Sequence, residues 1–230
     1  MIAAVVFDMD GVIVDSEQVW DGVREQLVAD WGGRYSPQAQ RAMMGMSSGE
    51  WSLYMHEELG LPRPPEEIND EVVRRMLERY RADLPLIDGA VDAVRSLAGT
   101  FPLAVASSSN RPLIDAVLET AGIADCFAAT VSSEEVGCGK PAPDVYLEAA
   151  RRLAVAPERC AAVEDSGNGI RAAHAAGMRV LAYPNPHYPP PAGALELADV
   201  VLPSMRALTP DAVARQAPAP TRQRRDPNVP

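Results

Sequence analysis

From residue 83 onward, short apolar runs alternate with helical stretches, and few folds accommodate that alternation. Leu103–Ala106, Ala128–Val131, Ala161–Val163, Arg179–Tyr183 and Val200–Leu202 read as strands. Ala90–Ala98, Leu113–Ala121, Asp144–Leu153 and Asn168–Ala176 read as helices, with Gly122 and Gly177 placed to end two of them. Repeated βαβ units of this kind build a parallel sheet. One further strand, Ala3–Phe7, belongs to the same pattern but stands far from it in sequence. Residues 15–82 lie between, and they read as amphipathic helices at Glu17–Trp31, Pro37–Met43, Glu50–Leu59 and Pro65–Tyr80. Pro37, Pro62, Pro64 and Pro65 punctuate them as turn or first-turn residues. The expected class is therefore α/β: a parallel-sheet core of residues 1–14 and 83–215, interrupted by a helical insertion at 15–82. Met43, Met44 and Met46 read as helix packing. Residues 216–230 are proline-rich and aperiodic, which predicts a disordered tail with Arg222, Arg224 and Arg225 solvated.

Composition narrows the partners. A net charge of −11 argues against a general nucleic-acid binder. No apolar run approaches the roughly 18 residues that span a bilayer, so no membrane is expected. The first apolar run follows no basic region and ends in aspartate, unlike a signal peptide. Cys126, Cys138 and Cys160 form no CxxC pair, which fits a reducing cytoplasm. His56, His174 and His187 have no zinc spacing.

The strand ends carry the chemistry. The first strand ends in Asp8, with Asp10 two residues on and Gly11 turning the backbone. The second leads to Ser107, the loop after the third to Lys140, and the fourth to Glu164 and Asp165. In a parallel sheet these ends share one edge, where open α/β sheets hold their sites. Carboxylates there are costly unless something binds them. Asp8, Asp10 and Asp165 suit Mg²⁺, which favours carboxylate oxygen, water and substrate phosphate. Lys140, Ser107 and the backbone amides around Ser108 are donors for phosphoryl oxygens. Asp8 is placed to attack phosphorus, and Asp10 to protonate the leaving oxygen and then activate water.

FDMDGVIVDS, the serine run 107–109, GKPAPD and VEDSGNGI together resemble the four motifs of the haloacid dehalogenase superfamily, especially the branch of β-phosphoglucomutase and small sugar phosphatases. The resemblance covers residues 1–14 and 84–205. It implies a Rossmann-like core with a helical cap inserted after the first motif. It also implies Mg²⁺, Asp8 as nucleophile, Asp10 as acid/base, and Ser107 and Lys140 on the phosphoryl group. Asp165 then ligates the metal with Glu164 beside it.

The variants of the family chemistry differ at readable positions. Dehalogenases that resemble this core generally lack the second aspartate, whereas Asp10 is present. The phosphonate-hydrolysing branch needs a cap lysine, and residues 15–82 contain none. In the mutase branch an arginine follows the Gly-x-Ser of the cap loop and a histidine stands near the cap's start. Here Ser48 and Trp20 occupy those places. A phosphatase acting on a small phosphorylated metabolite, a sugar phosphate in the family's terms, is the expectation, with a β-phosphoglucomutase-type mutase as the alternative. For the mutase, Arg41, Arg74 and Arg75 are the candidate cap cations. Trp20, Met46, Ser47 and Trp51 are the candidate cap contacts with substrate, and packing between cap and core is the competing role. Asp15 and Ser16 are expected to cap the first inserted helix, Ser108, Ser109 and Asn110 to cap the helix after them, and Asp144 to cap another. Cys138 reads as an inert loop residue. A monomer or weak homodimer is expected.

Overall fold

Every residue of β1 (Ala4–Phe7) is buried, and hydrogen-bonded strands flank it on both sides. That position explains its unbroken apolar sequence, since a central parallel strand meets helices on both faces. The computed structural model describes residues 1–43, 46–185 and 188–215; Met44, His187 and the tail at 216–230 lie outside them. Four helices follow β1: α1 (Glu17–Trp31), α2 (Pro37–Met43), α3 (Ser48–Glu57) and α4 (Pro65–Ala82). Then come α5 (Ala90–Ala98), β2 (Leu103–Ser107), α6 (Arg111–Thr120), β3 (Phe127–Ser132), α7 (Asp144–Arg152) and β4 (Cys160–Glu164). The chain continues through α8 (Gly167–Ala175), β5 (Arg179–Ala182), α9 (Ala192–Leu195), β6 (Val200–Val201) and α10 (Pro210–Ala214). The six strands form one parallel sheet in the order β3-β2-β1-β4-β5-β6. The fold is thus the α/β, Rossmann-like parallel sheet expected.

Strand alternation sorts side chains by size. Val5, Phe7, Leu103, Val105, Val163 and Leu181 face one layer, shared with α5, α6 and the inserted helices. Ala4, Val6, Ala104, Ala106, Ala162 and Ala182 face the other, where α7 and α8 pack. Small residues on that second face let the helices lie close to the sheet.

The elements differ from the sequence expectation mainly at their ends. Helix α3 starts at Ser48 rather than Glu50, because Ser47 and Glu50 form a reciprocal capping box. Ser16 does not cap α1 with its side chain, nor does Asn110 cap α6. Asp144 is the first helical residue of α7, with Pro143 in the capping position. Two short helices, α9 and α10, have no counterpart in the sequence reading, being too brief to show periodicity.

The chain leaves and re-enters the sheet region through adjacent segments. Asp15 N–H donates to Pro85 O at 2.8 Å, and Ile87 N–H donates to Ile13 O at 3.0 Å. Val14 and Leu86 form an antiparallel bridge between them. Among the described residues no helix is long and apolar enough to cross a membrane.

Leu97, fully buried on α5, carries the packing of that helix against the sheet. Leu97→Ala is expected to cost about 2–5 kcal/mol in urea unfolding. Arg206→Ala, which breaks the exposed pair with Asp88, should leave the urea midpoint nearly unchanged.

Candidate active site

Parallel register places the strand-end groups side by side. Phe7 is level with Val105 on β2 and with Val163 on β4. Asp8, one residue further, donates its N–H to Val163 O at 2.9 Å and stands beside Glu164. The order of strands reverses at β1, so the site forms where neighbouring crossovers diverge.

Lys140 ties these groups together. It is the only lysine among the chain's 21 lysine and arginine residues, and it is 7% exposed. Its Nζ lies 2.9 Å from Asp8 Oδ1 and 2.6 Å from Glu164 Oε1. A compact ammonium suits a point between two carboxylates better than a planar guanidinium. Burial opposes its charge, but Asp8 and Glu164 outweigh burial and hold its pKa above the ordinary value. Tyr146 OH also donates to Glu164 Oε1, at 2.7 Å. Glu164 Oε2 accepts from the amides of Asp165 and Ser166 and from the Ser166 hydroxyl. Gly169 lies against this carboxylate so closely that an added Cβ would fall 1.6 Å from Oε1.

Asp8, Glu164 and Asp165 each present a ligand oxygen, all within 4.8 Å of one another. Three buried carboxylates facing one ammonium leave negative charge uncompensated. Burial, followed by Glu164, pushes Asp8 up to about 8, against the pull of Lys140. Burial and the Glu164 and Asp8 charges raise Asp165 as well. A divalent cation fits this donor set and this charge. Gly11 keeps the approach open: its φ is +78°, and a Cβ there would overlap the Asp165 carboxylate at 1.9 Å.

The Asp10 carboxylate lies outside that group of three. Its Oδ1 accepts from Ser16 Oγ at 2.5 Å and Trp20 Nε1 at 3.2 Å. Its Oδ2 accepts from Ser109 Oγ at 2.6 Å and, at 3.5 Å, from Ser107 Oγ. Ser16 therefore spends its hydroxyl on Asp10 and not on the end of α1. Ser107 is fully buried, and its Oγ also accepts the Ser109 amide at 3.0 Å. Ser108 and Ser109 line the open space in front of it.

That space is a cavity of about 380 Å³ between the sheet edge and the inserted helices, and Asp8, Asp10, Lys140 and Asp165 open onto it. Trp20, Met46 and Trp51 line its other wall. The Trp20 and Trp51 rings lie 6.0 Å apart, so they pack on each other as well as facing the cavity. Ser47 lies outside the lining, its hydroxyl donating to Glu50 at 2.7 Å. Its neighbour Ser48 crosses instead to Glu134, at 3.0 Å. Asn110 donates to both Glu134 and Asn69, so a polar network joins the insertion to the sheet domain.

Of the three candidate cap cations, only Arg41 lines the cavity. Arg74 is paired with Glu71 and Glu78, and Arg75 with Glu71 and Asp30, away from it. The cavity's buried cation from the insertion is Arg24, which sequence reasoning missed. Its signal was legible: Trp20, Val23, Leu27 and Val28 form the buried stripe of α1, and Arg24 falls inside it. Glu17 on the same helix also lines the cavity; burial, then Asp10, pushes it up to about 7, with Arg24 pulling the other way. Tyr146 and the close approach of Gly169 were likewise invisible before the strands were brought together, and Ser109, read from the sequence as a helix cap, gives its hydroxyl to Asp10 instead.

A family model described as haloacid dehalogenase-like hydrolase matches residues 2–177. The chain belongs to this family and is a hydrolase, in its sugar-phosphatase branch. It is 34% identical over 215 residues to hexitol phosphatase B of Escherichia coli K12, covering 90% of this chain and 95% of that protein. It is 30% identical over 195 residues to the bifunctional riboflavin kinase/FMN phosphatase of Arabidopsis thaliana, 80% of this chain but only 48% of that longer protein. Among solved structures, CbbY from Rhodobacter sphaeroides in complex with phosphate matches with a TM-score of 0.79 at 27% identity, over 90% of this chain and 96% of that one.

The raised carboxylates set a pH dependence. With Asp8 near 8 and Glu17 near 7, the folded protein keeps protons that the unfolded chain releases near the ordinary carboxylate pKa of about 4. Their stabilisation is full below that value and is lost as pH rises through the folded values. Without divalent cations, Tm should therefore fall between about pH 5 and pH 8. Added Mg²⁺, which needs ionised ligands, should raise Tm more at the upper end than at the lower. A Tm in EDTA that climbs across this range would contradict the picture.

Proposed function

We propose that this chain hydrolyses small organic phosphate monoesters, sugar phosphates foremost, through an aspartyl-phosphate on Asp8. One observation carries the reading: two aspartates open on one cavity but are held in opposite ways. Asp8 has an ammonium on Oδ1, and in this reading its other oxygen, Oδ2, is the one that attacks. Asp10 has only neutral donors among the described residues, as suits a group that gains and loses a proton. The relatives' names support the phosphate-ester class, hexitol phosphatase B among them.

In this reading Asp8 Oδ2 attacks phosphorus, and the bond from phosphorus to the ester oxygen breaks. Asp10 gives that oxygen a proton, and the alcohol leaves. Asp10 then takes a proton from water as the water oxygen attacks phosphorus. The Asp8–phosphorus bond breaks, inorganic phosphate departs, and Asp10 is protonated again. Lys140 and the amides near Ser108 and Ser109 hold the phosphoryl oxygens. Asp8 and Asp165 would hold Mg²⁺, with Glu164 fixing Lys140 beside them. The bound ion would offset the repulsion between an anionic ester and an anionic nucleophile. The inserted helices serve as a cap that shields the aspartyl-phosphate until the alcohol has left.

Hydrolysis of p-nitrophenyl phosphate should require Mg²⁺ and stop in EDTA. Asp8→Asn should keep its circular dichroism and lose about 10³-fold or more in kcat. Near wild-type turnover by Asp8→Asn would exclude Asp8 as nucleophile. With a sugar bisphosphate as primer, β-glucose 1-phosphate should yield inorganic phosphate and not the 6-phosphate; efficient isomerisation would instead favour a mutase.

A further inference from the structure

Arg24 is a cation inside a largely apolar stripe, and it is 8% exposed. Its guanidinium carbon lies 4.7 Å from the Trp20 ring centroid and 5.0 Å from that of Trp51. Its Nε has no hydrogen-bond partner, and among the described residues Arg24 forms no ion pair. The groups whose charge it feels are Glu17, Tyr35, Asp21 and Asp10. Asp21 is engaged by the Tyr35 hydroxyl and Asp10 by its own four donors. Glu17 is shifted toward its neutral form, which weakens it as a counter-ion.

Burying an unpaired cation is strongly unfavourable. A cation–π contact with an indole face offsets only part of that cost. The two tryptophans orient the guanidinium but do not neutralise it. Arg24 also lines the same cavity as Asp8 and Asp10. Trp20 connects the two ends: its ring edge donates to Asp10 and its face carries Arg24. An alcohol oxygen leaving at Asp10 can therefore belong to a molecule that passes along Trp20 and ends at Arg24.

We propose that Arg24 binds an anionic group, a carboxylate or a second phosphate, borne on the leaving-group side of the ester, and so directs the enzyme to substrates with two negative centres. The proposal rests on the phosphatase reading and deepens it. A sugar hydroxyl could accept a hydrogen bond from Arg24, but only an anion also neutralises it, with charge-assisted bonds about twice as strong as neutral ones.

Matched substrates test this. 3-Phosphoglycerate and glycerol 3-phosphate differ by a carboxylate against a hydroxymethyl group; fructose 1,6-bisphosphate and fructose 1-phosphate differ by a second phosphate. With Mg²⁺ present, the wild type should favour the more anionic member of at least one pair by about tenfold or more in kcat/KM. The pair that responds tells carboxylate from phosphate. In Arg24→Met that ratio should fall to about one, and Arg24→Lys should restore part of it. Equal treatment of both members of both pairs by the wild type would overturn the proposal while leaving the phosphatase reading intact. This comparison decides the matter even if Arg24→Met does not fold. Calorimetric titration of the same pairs into Asp8→Asn with Mg²⁺ separates the two ideas. Tighter binding of an anionic member would uphold the Arg24 site even if no ester were hydrolysed. Equal binding, or none, would overturn it.

Discussion

Glu164 makes no contact with solvent, yet its two oxygens accept hydrogen bonds from a lysine, a tyrosine, a serine hydroxyl and two backbone amides. An ionised carboxylate can be buried only on such terms, and each term fixes part of the chain. Lys140 must come in from the loop before α7, and Tyr146 from α7 itself. The amides of Asp165 and Ser166 must turn inward where α8 begins, and Gly169 must be without a side chain. Once these are set, Lys140 lies against Asp8, and the position of the Asp8 carboxylate follows from a residue on another strand.

The sheet makes those terms attainable. Because β1 is flanked by β2 and β4, the three strand ends that matter are nearest neighbours rather than opposite edges of the molecule. The alanine-rich face beneath α7 and α8 brings Tyr146 close enough to reach Glu164 and lets Gly169 lie against its carboxylate. The bulkier opposite face is continuous with the inserted helices, so the roof of the cavity and the sheet share one hydrophobic layer.

The sheet, its helices and the carboxylates at its edge were legible in the sequence because each depends on local pattern: apolar runs, helical period, and acidic residues just past a strand. What escaped was which of several available partners each polar side chain takes, and the packed structure decides that. Ser16 looks like a helix cap, but Asp10 is a charged acceptor near at hand and outcompetes the backbone. Asn110 likewise turns from its own helix toward Glu134 and Asn69. Arg74 and Arg75 look like substrate cations only until their acidic neighbours one helical turn away claim them. Arg24 was legible as a cation inside the apolar stripe of α1, with Trp20 one turn before it; only the fold adds Trp51 as its second indole neighbour.

The solitary lysine has a consequence beyond its pairing with Asp8 and Glu164. Every other basic side chain in this sequence is arginine or histidine, and the one ε-amine sits within the site, followed by Pro141. Acetyl, succinyl or ubiquitin groups that are transferred to lysine thus find no accessible acceptor on the folded protein. Reagents that couple to lysine side chains must open the active centre to react, so the extent of lysine labelling would serve as a direct gauge of how often that centre is exposed.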